Sequence, residues 1–253
     1  MKKEYKIAVS EYFYSLQGEG ITTGTPAIFL RLTGCNLMCG GKGVEHDGIM
    51  RNGATWVCDT IGVWQKGTTW SFPDLINELN SCTDFIRRLR SGVHLIITGG
   101  EPLLQQNRIL TFLEYLETEY LLKPIVEIET NATILPHKEL DNRVQFWNTS
   151  PKLTNSGVTI EERLDIEALK WFSSNPKTMF KFVITAKEDF HEIQDQLIKT
   201  SIIDSSKIVL MPAADSIDQL LERNQMVAQL CIDNQLRMST RLHVEIWNKL
   251  TGV

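Results

Sequence analysis

Residues 31–60 read RLTGCNLMCGGKGVEHDGIMRNGATWVCDT, and the rest of the chain is organised around this stretch. Three of the five cysteines, Cys35, Cys39 and Cys58, lie in it, directly after an apolar run. Three residues separate the first two cysteines, and 18 residues rich in Gly separate the second from the third. Thiolates bind soft or borderline centres such as iron–sulfur clusters and zinc. The stretch therefore predicts a metal centre.

Three interpretations of this loop stay open on its residues alone. Three thiolates without a fourth would hold an iron–sulfur cluster with one open iron, where a cofactor can bind and receive an electron. Alternatively, His46 would complete a Cys3His set around a structural zinc, which is a common closed tetrahedral site. In the third interpretation the cysteines carry no ligand. Only the first interpretation makes the loop a reactive site.

A second motif, TGGEP at residues 98–102, follows the apolar run of residues 93–97. The apolar run predicts a buried strand. Two glycines at the C-terminal end of a strand are typical of places where the backbone must approach a ligand closely. This motif favours the open cluster, because a zinc-stabilised binding module gives it no role.

Size and composition predict one domain over residues 1–253. The chain is long enough for one large core, and α/β barrels commonly reach this size as a single domain. Its 42% hydrophobic and 23% charged residues are ordinary for a globular protein. The formal net charge of −5 argues against a surface that neutralises many phosphates, so a small-molecule substrate is favoured over a nucleic acid.

The sequence also predicts a cytoplasmic protein that is not associated with a membrane. The first residues lack the apolar core of a signal peptide, and no apolar run reaches the ~18 residues needed to span a bilayer. Five unevenly placed cysteines do not make a disulfide framework, and a reducing compartment suits thiolate ligands. Cys82 and Cys231 fall on apolar faces of predicted helices and are expected to be buried packing residues.

Strand and helix patterns alternate along the chain. Strands are predicted at residues 5–14, 27–32, 93–97, 125–131, 144–148, 179–185 and 207–211. Helices are predicted at residues 72–90, 107–120, 161–173, 188–199 and 216–232. Such alternation is typical of parallel strands joined by right-handed crossovers. Six units after the first strand predict an α/β fold of the partial (β/α)6, TIM-like barrel type, with polar residues at the strand C-terminal ends, where barrel enzymes place their sites.

The Cys-x3-Cys loop with a further Cys, followed by GGEP at a strand end, resembles the radical S-adenosylmethionine (SAM) enzymes. Further motifs narrow the resemblance: LQGEG at residues 16–20, CDT at 58–60, SPK at 150–152 and the ending L-H-x-x-x-W at 242–247. Together they are similar to the 7-carboxy-7-deazaguanine synthase family over nearly the whole chain.

The resemblance implies a radical SAM barrel that uses a 4Fe–4S cluster, SAM and Mg²⁺. It implies conversion of 6-carboxy-5,6,7,8-tetrahydropterin to 7-carboxy-7-deazaguanine, a step of queuosine and 7-deazapurine biosynthesis. A 5′-deoxyadenosyl radical takes a hydrogen atom, the ring contracts and ammonia is lost, so the enzyme is a carbon–nitrogen lyase that needs no protein nucleophile. A homodimer and an electron donor such as flavodoxin are expected. The alternatives are another radical SAM enzyme, such as a glycyl-radical activase, or, in a different class, the zinc-stabilised binding module.

The same resemblance assigns roles to individual residues of this chain. The cluster ligands are the three cysteines of the loop, and Thr60 is assigned to Mg²⁺. Contacts with the pterin are assigned to Leu16, Gln17, Gly18, Glu19, Arg31, Thr98, Glu129 and His243. Contacts with SAM are assigned to Val57, Asp59, Gly99, Gly100, Glu101, Ser150, Lys152, Met211 and Pro212. Positioning of the substrate falls to Glu19, Arg31 and Thr98, with Arg31 at the substrate carboxylate.

Several of these residues have a simpler alternative on sequence alone. The LQGEG segment is also typical of a plain tight turn, although its amide and carboxylate suit a nitrogen-rich heterocycle. Arg31 is either a surface charge or a carboxylate fork. His243, among apolar neighbours, is either a hydrogen-bonded core residue or a ligand contact.

The second cysteine interval departs from the Cys-x3-Cys-x2-Cys spacing that is common in the superfamily, because 18 residues replace two. Residues 40–57 therefore form an insert in an enlarged cluster-binding loop. Asp59 and Thr60 support Cys58 as the third ligand, since a hydroxyl beside the cluster can join a magnesium shell. The Gly-rich insert is typical of a solvated loop. Its place beside the cluster also raises the hypothesis of a flap or a docking surface for the electron donor.

Overall fold

One nine-stranded sheet forms the centre of the computed structural model, which describes residues 5–250 and 252. The strands are Lys6–Leu16 (β1), Pro26–Leu32 (β2), Thr68–Ser71 (β3), His94–Gly99 (β4), Val126–Thr130 (β5), Phe146–Thr149 (β6), Thr178–Ile184 (β7), Ile208–Pro212 (β8) and Arg237–Met238 (β9). They are hydrogen-bonded in the order β3-β1-β2-β4-β5-β6-β7-β8-β9, so β3 and β9 lie at opposite ends of an open sheet.

Six strands of this sheet, each of four to seven residues, run parallel. They are β2, β4, β5, β6, β7 and β8, and the two-residue β9 extends the parallel run. The first strand, β1, pairs antiparallel with both β2 and β3. The predicted α/β fold with six parallel units in a partial barrel is confirmed, and the short β3 is a strand that the sequence pattern did not reveal.

Helices follow most of the parallel strands. They are Val44–Asp47 (α1), Ile61–Trp64 (α2), Phe72–Thr83 (α3), Phe85–Arg90 (α4), Gln106–Tyr120 (α5), Lys138–Asp141 (α6), Ile160–Arg163 (α7), Ile166–Ser174 (α8), Lys187–Ile193 (α9), Ile217–Asn234 (α10) and Leu242–Trp247 (α11). A π-helical segment, Gln194–Ile198, continues α9. In the part of the chain that the structure describes, no helix is long and apolar enough to span a bilayer.

The prediction of one helix over residues 72–90 is wrong. Asp84 adopts a left-handed conformation with φ of 53°, which ends α3 and starts α4. Asp tolerates this conformation better than most residues, so a break is possible without glycine. The predicted helix over residues 161–173 is likewise divided, because Leu164 is extended between α7 and α8.

The two cysteines outside the loop differ from each other. Cys231, on α10, is 5% exposed, so its predicted burial is confirmed. The same prediction for Cys82 is wrong, because this residue is exposed near the end of α3. Apolar neighbours in sequence do not fix the face of a helix on which a single small residue lies.

The two faces of the sheet have different characters. The large hydrophobic core lies between the sheet and its helices, with edge-on aromatic contacts such as Phe72–Phe112 (ring centroids 5.2 Å apart) and Trp147–Phe172 (5.5 Å). On the inner face the buried apolar residues form only a small cluster around Phe29. Because successive residues of a strand face opposite sides, the polar residues between the core residues all project into the concave side of the sheet.

Candidate active site

A cavity of about 500 Å³ lies on the concave side of the sheet, at the C-terminal ends of the parallel strands. Its lining includes all of the predicted site residues except Glu101 and Pro212. Those that line it are Leu16, Gln17, Gly18, Glu19, Arg31, Cys35, Cys39, Val57, Cys58, Asp59, Thr60, Thr98, Gly99, Gly100, Glu129, Ser150, Lys152, Met211 and His243. The fold therefore assembles one site from residues spread over almost the whole chain.

The three cysteines of the loop lie on one wall of this cavity. The 18-residue interval folds back on itself, so that the backbone N–H of Cys58 donates to the carbonyl oxygen of Cys39 at 3.2 Å. Leu37, Val158 and Trp56 pack around the thiols. The length of the interval therefore does not separate the third cysteine from the first two.

The surroundings of Cys35 and Cys39 favour the neutral thiols when no cation is bound. Burial raises the pKa of the Cys35 thiol to about 11 and that of Cys39 to about 12, so the deprotonated form requires a bound cation. Within residues 5–250 and 252, no three His, Cys, Asp or Glu side chains converge closely enough to hold one metal ion. Three cysteine thiols in the lining of one cavity are the ligand type that an iron–sulfur cluster takes.

The Cys3His zinc set is not assembled. His46 lies on α1, its side chain is 81% exposed, and its Nε2 is 3.4 Å from the carboxylate of the adjacent Glu45. It is not among the residues that line the cavity.

The two glycines of the GGEP motif allow β4 to press against the start of the cysteine loop. The N–H of Gly100 donates to the Leu32 carbonyl at 3.2 Å, and the N–H of Glu101 donates to the Gly34 carbonyl at 2.8 Å. A Cβ on Gly99 would lie 2.3 Å from the Leu32 oxygen, and a Cβ on Gly100 would lie 1.9 Å from the Gly34 oxygen. Only glycine permits this approach.

Glu101 is directed into the protein. Its fully buried carboxylate accepts hydrogen bonds from Leu103 N (2.9 Å), Thr130 Oγ1 (2.8 Å) and Asn131 N (2.7 Å). Burial raises the pKa of this carboxyl group. The side chain thus ties the end of β4 to the end of β5, and its backbone is the part that lies beside the cavity wall.

The side chain of Gln17 also forms its hydrogen bonds within the protein. Its Nε2 donates to Glu127 at 2.9 Å and to Glu129 at 3.0 Å, and its Oε1 accepts from the N–H of Glu19 at 3.1 Å. Glu127, which the sequence did not single out, is fully buried and also accepts from Thr22. Gln17 therefore holds Glu19 and Glu129 in place, and Thr98 Oγ1 adds a bond of 2.8 Å to Glu129.

The loop after β1 is joined to the C-terminal segment. The N–H of Leu242 donates to the Gly18 carbonyl at 2.8 Å, and the N–H of Gly20 donates to Ser239 Oγ at 2.7 Å. His243 packs so closely on Gly18 that an added Cβ would lie 2.1 Å from its Nδ1. Burial lowers the pKa of His243 below its usual value, so the imidazole is neutral at neutral pH.

Two cations that the sequence did not reveal hold Glu19. Lys181 of β7 donates to Glu19 Oε2, and Arg241 Nε donates to Glu19 Oε1 at 2.9 Å. Arg241 also donates to Asp59 Oδ2 at 2.6 Å. Burial alone would raise the pKa of Glu19, but Lys181 and Arg241 hold it well below its usual value. Arg241 therefore links the loop after β1, the cysteine loop and the C-terminal segment.

Arg31 also lines the cavity and has a counter-charge of its own. Its Nε is 3.0 Å from Glu11 Oε1, its partner across the β1–β2 register, and its guanidinium lies 5.4 Å from the ring centre of Phe13. Phe13 stacks on Phe29 with ring centroids 4.9 Å apart. This part of the lining offers a cation above a flat apolar surface.

The SPK segment faces the cysteines. Lys152 Nζ donates to Ser150 Oγ at 3.0 Å and lies 5.7 Å from the ring centre of Trp56. Buried Arg163 donates to the Lys152 carbonyl at 2.9 Å and pairs with Glu192 at 2.8 Å. These two contacts hold the SPK segment in place.

Two further predicted residues complete the lining. Thr60 Oγ1 lies 3.4 Å from Cys58 Sγ, and the adjacent Asp59 has half of its side chain exposed. Met211 is 3% exposed and lines the cavity from β8, whereas the neighbouring Pro212 does not reach it.

The insert of residues 40–57 is packed on the protein over much of its length. The N–H of Gly40 donates to the Ser156 carbonyl at 2.7 Å, and Trp56 Nε1 donates to Asn155 Oδ1 at 2.9 Å. Residues 55–57 line the cavity beside the cysteines. Ile49 remains 60% exposed at the outer end. The inner half of the insert is thus part of the site wall.

Comparisons with known proteins identify the family of this chain. The chain is 30% identical to the 7-carboxy-7-deazaguanine synthase of Pyrobaculum aerophilum, with 98% of this chain and 97% of the relative covered. It is 32% identical to the synthase of the same name from Halobacterium salinarum, with 96% and 91% covered. No family model matches the chain. The crystal structure of QueE from Escherichia coli has the same fold, with a TM-score of 0.61, 23% identity, and 95% of this chain and 96% of that chain covered. This chain belongs to the 7-carboxy-7-deazaguanine synthase family.

Proposed function

We propose that the chain converts 6-carboxy-5,6,7,8-tetrahydropterin to 7-carboxy-7-deazaguanine by radical SAM chemistry, as a step of queuosine or other 7-deazapurine biosynthesis. The observation that carries the proposal is one cavity whose lining combines three cysteine thiols, one buried and two half-buried, with paired carboxylates and cations. Membership of the synthase family supports the same reaction.

The thiol wall would hold the cofactors. Cys35, Cys39 and Cys58 would bind a 4Fe–4S cluster, and the backbone of Gly99 and Gly100 would meet the SAM amino group. Ser150, Lys152, Val57 and Met211 would hold other parts of SAM. Bound together, the cluster and SAM supply a one-electron cleavage that delivers a hydrogen-abstracting radical to the substrate.

Polar residues of the cavity outside the cysteine loop would bind the pterin. Arg31, oriented by Glu11, keeps its two Nη groups for the substrate carboxylate. Glu19 and Glu129 offer carboxylate oxygens to ring N–H groups, and neutral His243 offers a further polar contact. No protein nucleophile takes part, so these side chains act by fixing the ring in one orientation.

Thr60 is proposed as a ligand of Mg²⁺. This residue lines the cavity, and its hydroxyl lies next to Cys58. Magnesium prefers hard oxygen ligands and keeps several waters, so one hydroxyl together with a substrate carboxylate would suffice. Asp59 is turned toward Arg241 and acts on the same region through that ion pair.

The remaining proposals rest on the family resemblance and on composition. One domain is supported by the single sheet, to which the strands of the described residues belong. A homodimer and an electron donor such as flavodoxin follow from the resemblance, and a cytoplasmic location follows from cysteines suited to a reducing compartment.

The proposed function predicts two products from one anaerobic reaction. The protein is reconstituted with iron and sulfide and mixed with SAM, dithionite, Mg²⁺ and 6-carboxytetrahydropterin. Mass spectrometry should detect 5′-deoxyadenosine together with 7-carboxy-7-deazaguanine, and omission of SAM should remove both. Deoxyadenosine alone would retain the radical chemistry and overturn the pterin substrate, and neither product from cluster-loaded protein would overturn the whole proposal.

Substitution Gly18→Ala is expected to lower kcat/KM for the pterin by about tenfold, because the new Cβ displaces the His243 ring and removes one polar contact. The iron content should not change. In a His243→Ala background the same substitution should cost little, since the clashing ring is absent. A full tenfold loss in that background would show that the contact between Gly18 and His243 is not the cause.

A further inference from the structure

Lys181 is a buried cation in the cavity that the sequence motifs leave unexplained. It lies on β7 and is 7% exposed, and its Nζ donates to Glu19 Oε2. Glu129, across the cavity floor, adds to the negative field around it, so the lysine remains charged. Burial of a charged lysine costs free energy unless the charge is paired and hydrogen-bonded. The ion pair with Glu19 uses only one of the three N–H donors of Lys181.

The two cations around Glu19 differ in how many protein acceptors hold their nitrogen atoms. Arg241 donates from Nε to Glu19, from Nη1 to the Ala214 carbonyl and from Nη2 to Asp59. Lys181, in contrast, makes its one hydrogen bond within the described residues to Glu19. Each of the three nitrogen atoms of Arg241 is thus held by a protein acceptor, whereas the Nζ of Lys181 has one partner in the described part of the chain and brings two further N–H groups to the cavity lining.

Glu19 and Lys181 together present an acceptor beside a donor. Each oxygen of Glu19 accepts one bond from a cation and keeps further lone-pair capacity. A pterin carries the complementary pattern on its pyrimidine ring, where the 2-amino group and N3–H are donors and the adjacent 4-oxo oxygen is an acceptor. Matching of buried donors and acceptors is the strongest source of discrimination between ligands of similar shape.

We propose that Lys181 reads the 4-oxo group of the pterin, by donating a hydrogen bond to it while Glu19 accepts from N3–H and the 2-amino group. The inference rests on the proposed function and deepens it. Lys181 is a specificity residue in this assignment, in addition to its ion pair with Glu19. If Lys181 had only a structural role, it would hold Glu19 in place and make no hydrogen bond to the 4-oxo group.

The test compares two fluorescent, non-reacting ligands: 6-carboxypterin, which has the 4-oxo group and N3–H, and 2,4-diaminopteridine-6-carboxylate, which has a 4-amino group and no hydrogen on N3. Dissociation constants are measured by anaerobic fluorescence titration of cluster-loaded protein with SAM present. The wild-type protein should prefer the 4-oxo ligand by about 10- to 100-fold, because the 4-amino group places a donor against Lys181 and the unprotonated N3 places a lone pair against Glu19. In Lys181→Met this preference should fall by about fivefold or more, and the part that remains belongs to the contact between N3 and Glu19. Should the Met variant fail to fold, Lys181→Ser gives the same comparison.

Arg241→Gln is the matched control, because it also removes a cation from Glu19, but one whose three nitrogen atoms all donate to the protein. It should weaken binding of both ligands and keep the preference for the 4-oxo ligand. Equal weakening of both ligands in Lys181→Met, with the preference unchanged, would overturn the inference. A wild-type protein that forms 7-carboxy-7-deazaguanine but shows no preference would overturn it as well and leave the proposed function intact, whereas absence of that product overturns both.

Discussion

Substitution Cys58→Ala is expected to abolish binding of the 4Fe–4S cluster and product formation, despite the 18 residues that separate Cys58 from Cys39. The backbone hydrogen bond between these two residues brings the third thiol to the same wall as the first two. A cluster held by three thiolates loses a whole iron ligand when one is removed. Iron and sulfide content, visible absorption and turnover after reconstitution measure the effect.

The chain supplies its own control in Cys82, which is exposed on α3 and does not line the cavity. Cys82→Ala should reconstitute and turn over as the wild-type protein does. A Cys58→Ala protein with a full iron content and normal turnover would mean that another side chain is the third ligand.

The strand pattern predicts where polar side chains meet. Thr98, Glu129 and Ser150 all lie at or just after the C-terminal ends of parallel strands, and these ends meet at one edge of a sheet. Their convergence on one cavity agrees with the strand pattern, whereas the roles assigned to them came from the family resemblance.

The two cations around Glu19 could not be predicted in this way. Lys181 stands inside an apolar strand, where alternation says only that it faces the other side of the sheet. Arg241 belongs to the C-terminal segment, and its partners Glu19 and Asp59 lie about 180 or more positions earlier in the chain. Ion pairs over such separations depend on the tertiary arrangement, for which the local pattern carries no signal.

Sequence also cannot tell whether a polar side chain faces a ligand or the protein. Glu101 belongs to the motif that predicts a ligand, yet its carboxylate accepts three hydrogen bonds from its own chain. Gln17 likewise bonds to Glu127 and Glu129. Both residues shape the cavity by holding its walls, because a buried polar group must find partners wherever the fold offers them.

The ion pairs around Glu19 should persist at neutral pH. The pKa of Glu19 is lowered, so its contribution to stability is present above its unfolded-state pKa and is lost as the pH falls through the folded-state value. The pKa of Lys181 is raised, so its contribution is present below its unfolded-state pKa and is lost as the pH rises through the folded-state value. Between these limits the acceptor and donor pair keeps its charges.

Substitution Gly100→Ala is expected to lower turnover by about 100-fold or more, because it moves the cysteine loop away from β4. A Cβ on this residue would lie 1.9 Å from the Gly34 carbonyl oxygen and 3.0 Å from Cys35 Cβ. The obstructing atom is backbone, so no side-chain rotation relieves the clash, and overpacking of this kind costs about 1–3 kcal/mol of stability. A displacement of about 1 Å at a reacting centre is enough for a rate loss of this size.

Gly62, on α2 beside the same loop, separates this steric effect from a general effect of alanine. An added Cβ there meets no atom within 4 Å, so Gly62→Ala should retain the cluster and turnover and gain up to about 1 kcal/mol of stability. Iron content, thermal unfolding and turnover of the two variants are compared side by side. If Gly100→Ala keeps wild-type turnover, the close approach of β4 to the cysteine loop is not required for the reaction. If it loses turnover while Gly62→Ala does not, the glycine of the motif acts by bringing the cluster wall and the strand end together.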